Sequence, residues 1–289
     1  MLISRNLLRK TYSEKDLLWV VIWFIIMVLL LVWNFLFLNS PSFYLLYRAF
    51  LNTIIIGIVS ILFTALLGWA TGVGQAILEE RKSKILNTLL TGTLDLLRSV
   101  PQILGILLGY VLITKMLEAE LLSNALLQIV LIGFILSLFI FPEFSDLIGE
   151  RIEHFKRTDF YPAMRACGIK ESRIINVEIL IGNSLPHIFH KLVSVFGISV
   201  FLLCSIDFII SVGLSTEVSL INFQITLGSL LAKMDSKQDI LAISHLFSDP
   251  SYFPSLLFRH LQGISTGFII VFTLICIYKI SNGLIKRLP

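Results

Sequence analysis

The chain has 289 residues, 56% of them hydrophobic and 15% charged, with a net charge of +4. Soluble domains run at about 45–50% apolar and about 25% charged, so the composition excludes an ordinary water-soluble domain. The three cysteines, Cys167, Cys204 and Cys276, are scattered without CxxC spacing and give no disulfide framework or zinc site.

In chain order, charge is missing between Asp16 and Arg48, Arg48 and Glu79, Arg98 and Lys115, Glu120 and Glu143, and His260 and Lys279. A sixth apolar run, Leu192 to Gly213, is broken only by Asp207. A spanning helix needs about 17–25 mostly apolar residues. These runs predict six spans, at about 17–38, 50–75, 97–115, 121–142, 191–213 and 263–282. Backbone polar groups in lipid must be satisfied within the segment, so the predicted fold is an all-α integral membrane protein. The first run is longer than the roughly 7–15 residues of a signal-peptide core and lacks a following small-residue cleavage site, so it reads as a retained anchor.

The positive charge follows the topology. With the N-terminus inside and six crossings, all but five of the 23 Lys and Arg fall on the cytoplasmic side, the exceptions being Arg48, Lys115, Lys233, Lys237 and Arg259. The positive-inside rule therefore places both termini in the cytoplasm. It also explains the basic excess without a nucleic-acid partner.

Within span two, Gly68 and Gly72 are four apart on one helix face and allow close helix approach. Span three opens "DLLRSVPQILGILLG", where Asp95 and Arg98 can pair at i,i+3 and Pro101 either starts the buried helix or kinks it. A kinked helix there lines a path or is simply bent. Asp207 in span five carries two readings: a path-lining or gate residue, or a carboxylate satisfied by a neighbouring helix.

Between spans four and five lies the longest cytoplasmic stretch, about 143–190. "EFSDLIGERIEHFKR" has Phe144, Leu147, Ile148, Ile152 and Phe155 at helical spacing. A second helix is predicted from an Asp159 N-cap, with Pro162 in its first turn and Gly168 at its end. A third, carrying Ile169, Ile174, Ile175 and Ile179, is predicted to stop by Gly182 and Pro186. Such a slim helix–Gly turn–helix fits a groove on a partner protein, or an interfacial helix on the inner leaflet. The outer stretch 214–262, with Asp235, Lys237, Asp239, His245, Asp249, Tyr252 and Phe253, is read as a receiving surface, an outer gate or a plain capping loop.

The segment "AMRACGIKESRIINVEILIGNSLP" resembles the EAA loop of the permease subunits of binding-protein-dependent ABC importers. Ala163 stands at the first alanine, Met164 at the second, Gly168 at the glycine and Leu185-Pro186 at the closing pair; Pro162 replaces the glutamate. The stretches Asn52–Ala76 and Leu94–Leu112 are similar to the start and next span of that family's core domain, and "ISVGLS", "TLGSLLA" and the last span are similar to the outer loop and last span of its dipeptide/oligopeptide/nickel subgroup. The resemblance implies a tail and first helix over 1–49 and a permease core over 50–289. It implies a non-catalytic inner-membrane subunit that forms half of a translocation path for peptides or a related small solute. Its implied partners are a second permease subunit in a heterodimer, cytoplasmic ATPase subunits, a solute-binding protein and membrane lipid. Ala163, Met164, Arg165, Ala166, Cys167, Gly168 and Lys170 would form the ATPase-docking loop, and Asp207 and Pro101 the path or gate. The chain has no G-x-x-x-x-G-K-[ST] loop, so no cofactor is expected on it; ATP and Mg would sit on the partners. The rival readings are a secondary transporter and a membrane scaffold that recruits a cytosolic protein.

Overall fold

The computed structural model describes residues 15–80, 84–122, 124–211, 223–233, 244–245, 247–254, 258 and 261–285. Its helices are α1 (Lys15–Phe37), α2 (Ser40–Glu80), α3 (Lys84–Ser99), α4 (Gln102–Glu118), α5 (Ala125–Lys156) and α6 (Phe160–Ala166). A single turn, Glu171–Arg173, leads into a π-helical stretch, Ile174–Asn183. α7 (Leu185–Ser211), α8 (Leu227–Lys233) and α9 (Leu261–Ile285) follow.

Among the described residues, five helices, α1, α2, α5, α7 and α9, are long and apolar enough to cross a bilayer, and α3 with α4 forms a sixth candidate bent by 94°. The all-α membrane fold is as the sequence predicts. The helix limits differ from the apolar windows. α2 begins at Ser40 and runs unbroken through Arg48, whose guanidinium lies 5.3 Å from the Tyr44 ring centre. α5 passes through Pro142 and continues to Lys156, so the helix predicted after 142 is not separate from span four. α7 starts at Leu185, with Pro186 in its first turn, so Pro186 opens a helix where it was predicted to close one. The first two share a reason, since a charge ends an apolar window without ending a helix; Pro186 is tolerated because the N–H it lacks is unpaired in a first turn anyway.

α5 is the axis of the bundle. Gly133 on α5 faces Ile56 and Val59 of α2, while Gly72 on α2 faces Ser145 and Ile148 of α5. The contacts advance together along both chains, so α2 and α5 run parallel. A Cβ on Gly72 would lie 2.9 Å from the Ser145 carbonyl, so no side chain fits there. Thr71 Oγ1 donates to Ser145 Oγ across the same seam at 3.0 Å. α4 packs antiparallel to α5, with Gly105 against Phe139 and Gly109 against Ile135. α1 lies outermost against α9, joined by Trp23 Nε1–H to Thr273 Oγ1 (3.1 Å) and Ser265 Oγ–H to Asn34 Oδ1 (2.8 Å). The bundle thus has two ends. The ends of α2 and α5 and the starts of α4 and α7 meet at one; α8 sits at the other.

Candidate functional site

At the first end, α5 projects its last turns and carries the segment 157–184. Phe144, Ile148 and Ile152 of α5 are buried together with Val73 and Ala76 of α2, Tyr161 of α6 and Ile174, Ile175, Ile179 and Leu180 of the π-helical stretch. The π winding explains those positions. Hydrogen bonds of the i→i+5 kind stack side chains five apart, and the buried pairs are 174/179 and 175/180. Three polar ties fix the base: Trp69 Nε1–H donates to Asn176 Oδ1 at 2.8 Å, Lys156 Nζ to the Ala76 carbonyl at 3.3 Å, and Arg151 Nε to Ser184 Oγ at 3.2 Å. Tyr161 is sandwiched by charge, with Lys156 Nζ at 5.6 Å and Arg165 Cζ at 5.9 Å from its ring centre.

On this base stands a short hook. α6 starts with Asp159 in helical conformation and with no capping bond from its side chain, so the predicted N-cap is not formed. Its end does follow the sequence. Gly168 has φ +77°, its N–H bonds the Arg165 carbonyl at 2.9 Å, and Ile169 N–H bonds the Met164 carbonyl at 3.3 Å. These two bonds make a Schellman closure, which favours glycine at the left-handed position. Met164 and Ile169, the apolar pair of that closure, pack on the buried base. Pro162, Ala163, Arg165, Ala166, Cys167, Gly168 and Lys170 are exposed. The residues singled out from sequence are therefore brought together on one small knob, Met164 facing inward and the others outward.

Pro101 and Asp207 do not share a site. Pro101 (φ −56°, ψ 127°) directly precedes α4 at the break where α3 and α4 meet at 94°, so it both starts a helix and marks the bend. It lines a groove of about 430 Å³ with Gln102, Glu143, Ile198 and Phe201. In this groove Glu143 accepts from Gln102 Nε2 at 3.0 Å and from Lys191 Nζ at 2.9 Å. The sequence reading left Glu143 and Lys191 at the borders of the loop. Their signal was an acid directly after a proline and a lone cation early in the next span.

Asp207 is 2% exposed and near the second end. Its carboxylate accepts from Tyr110 Oη at 3.4 Å and from Thr226 Oγ1. Leu227 N–H donates to Thr53 Oγ1 at 2.9 Å and Asn52 Nδ2 to the Ile225 carbonyl at 2.8 Å, which pins the start of α8 to α2. Gly228 lies against Cys204 and Asp207, where a Cβ would come 2.6 Å from the Cys204 Cα. Neighbouring elements thus satisfy the Asp207 carboxylate by hydrogen bonds. Further along, Asp249 accepts from Ser251 Oγ (2.7 Å) and Ser251 N–H (3.0 Å). Those bonds hold its carboxyl below the usual carboxylate range. Asp235, Lys237 and Asp239, like both chain termini, lie outside the described residues.

The profile of one protein family, described as the binding-protein-dependent transport system inner membrane component, matches residues 68–288. No curated protein matches the chain.

Proposed function

We propose a function from one premise: the chain belongs to the family of binding-protein-dependent transport system inner membrane components. It is thus a multi-pass inner-membrane permease subunit of an ABC transporter, a transport component and not a catalytic one. The finer reading is an importer of peptides or a related small solute, within the dipeptide/oligopeptide/nickel subgroup. It pairs with a second, different permease subunit. Cytoplasmic ATPase subunits, which carry ATP and Mg, grip the hook formed by Ala163, Met164, Arg165, Ala166, Cys167 and Gly168, with Lys170 beside it. A solute-binding protein delivers at the end that carries α8, and both chain termini lie in the cytoplasm.

The observation behind this reading is the hook itself: an exposed knob seated on a base whose Ile174, Ile175, Ile179 and Leu180 are packed against α2 and α5. A knob built this way passes a push on its rim into the spanning helices as a rigid-body movement. The groove beside Pro101, where Glu143 is linked to Gln102 and Lys191, supports a polar inner mouth for the path.

The test is Gly168→Val in vesicles reconstituted with the whole transporter. Nothing lies within 4 Å of the added Cβ, so the change acts through the +77° backbone angle and leaves membrane insertion intact. A left-handed non-glycine residue costs about 1–2 kcal/mol, enough to favour a rearranged turn and displace the rim of the hook. Uptake per ATP hydrolysed should fall accordingly. Unchanged uptake by the inserted variant would sink the docking role.

A further inference from the structure

The hook uses its apolar side chains on its own base. Met164 and Ile169 pack inward with Tyr161, and what the stretch 162–173 shows outward is small or charged. Pro162, Ala163, Ala166, Cys167, Gly168 and Ser172 are exposed, and the long exposed side chains there are Arg165, Lys170 and Arg173. Small side chains remove little apolar area from water. They give a partner a shape to close around and contribute little affinity. The three cations must supply the rest.

These cations share one sign and are held in place. The acid within 162–173, Glu171, is half-buried, and the exposed Asp159 stands ahead of α6. Arg157, before the hook, is paired with Glu153. The Arg165 guanidinium lies 5.9 Å from the Tyr161 ring centre, and its carbonyl accepts the Gly168 N–H at 2.9 Å. Lys170 opens the next turn and Arg173 ends it, with Arg173 N–H donating to the Lys170 carbonyl at 2.9 Å. The backbone spacing of all three is thus set before a partner arrives, and a preorganised surface loses less on binding. A protein surface that meets such a rim is complementary only if it is negative, since like charges across an interface repel. A lipid surface would also take an apolar face beside the charge, and 162–173 exposes no large apolar side chain.

We propose that the hook is a cationic plug for an acidic groove: Arg165, Lys170 and Arg173 pair with Asp or Glu carboxylates lining the ATPase subunit, while the small residues between them let its walls close in. This partner chemistry rests on the docking role proposed above and adds the sign of the charge on the other side.

The test uses the whole transporter in phosphatidylcholine vesicles, with its own ATPase subunits stripped and added back, and reads their affinity by co-sedimentation. Raising the salt from about 0.1 M to about 1 M shortens the screening length from about 10 Å to about 3 Å, and wild-type affinity should fall about tenfold. The triple variant Arg165→Gln, Lys170→Gln, Arg173→Gln should bind about tenfold more weakly at the lower salt, three exposed charge pairs acting together, and should no longer respond to salt. The double variant Arg165→Lys, Arg173→Lys keeps the charge and should stay within about twofold of wild type. On the unmodified protein, a carbodiimide joins an amine to a carboxylate where the two touch. It should link Lys170 to an Asp or Glu of the ATPase subunit, identified by mass spectrometry.

Gly168→Val separates this chemistry from docking itself. If Gly168→Val weakens binding while the triple Gln variant matches wild type, docking stands and the acidic groove falls. If neither changes binding, the hook is not the docked part and both fall. Equal weakening of the triple Gln variant at both salts would assign its long side chains to packing. Tighter binding by Arg165→Glu, Lys170→Glu, Arg173→Glu, or cross-links from Asp159 and Glu171 with none from Lys170, would make the groove basic. Wild-type binding that needs phosphatidylglycerol in the vesicle would give the cations to lipid headgroups.

Discussion

The two ends of the bundle are held by different physics. At the hook end, buried isoleucines, Phe144 and Tyr161 from four separate elements form one apolar cluster, and polar ties only trim its edge. At the α8 end, the segment 223–233 is pinned largely by hydroxyls, amides and one buried carboxylate, with Leu227 and Leu230 filling behind. Apolar packing is non-directional and summed over many contacts, so it yields a part that moves as a block. A hydrogen-bonded seam depends on a few aligned pairs, so it either holds or parts. The contrast teaches that a change at one end is shared across a whole cluster, while a change at the other falls on a few particular bonds.

That contrast can be broken or sharpened by three single substitutions and one double, each read by regional hydrogen exchange and thermal unfolding of the purified protein. The largest effect is expected from Phe144→Ala. Phe144 is fully buried against Gly68, and emptying such a site costs about 3–5 kcal/mol. Exchange should rise over 160–183 and stay unchanged over 223–233. A rise at both ends would mean that they are one cooperative unit and that the contrast is false. Next comes Asp207→Asn, which replaces a double acceptor for Tyr110 and Thr226 by an amide and should cost about 1–3 kcal/mol. Its exchange signature should be confined to 223–233. Combined with Thr226→Val, the loss should be clearly less than additive, because both changes remove the same bond. The smallest is Trp69→Phe, which deletes one bond to Asn176 at the edge of the hook base, for about 0.5–1.5 kcal/mol. If Trp69→Phe costs more than Phe144→Ala, the hook end is also polar-pinned.

Legibility from sequence divided along the same line. The spanning helices were visible because lipid selects long apolar runs, and the Gly68/Gly72 face because small residues four apart permit close approach. Gly168 was legible because a left-handed closure favours glycine. Asp159 misled, since an acid before a proline-bearing turn looks like a cap although its side chain makes no capping bond. The Ile174–Asn183 stretch was read with an α-helical period, whereas its buried residues repeat every five. α3 was hidden by its own pattern: its leucines merged with those of the next span, and only the 94° turn at Ser99–Pro101 separates them. The Glu143–Lys191 link joins residues 48 apart in sequence, and no local pattern announces such a pair.

α2 is a single unbroken helix of 41 residues, which at 1.5 Å per residue is about 60 Å long, roughly twice the hydrocarbon thickness of a bilayer. Thr53 and Asn52, on its early part, hold the start of α8; Trp69 and Ala76, on its late part, hold the base of the hook. Between them Gly68 and Gly72 sit tight against Phe144 and Ile148 of α5, so the beam is clamped along its flank. A rod held in this way has no joint of its own between the two attachments, and the start of α8 and the base of the hook are tied to one continuous piece of backbone.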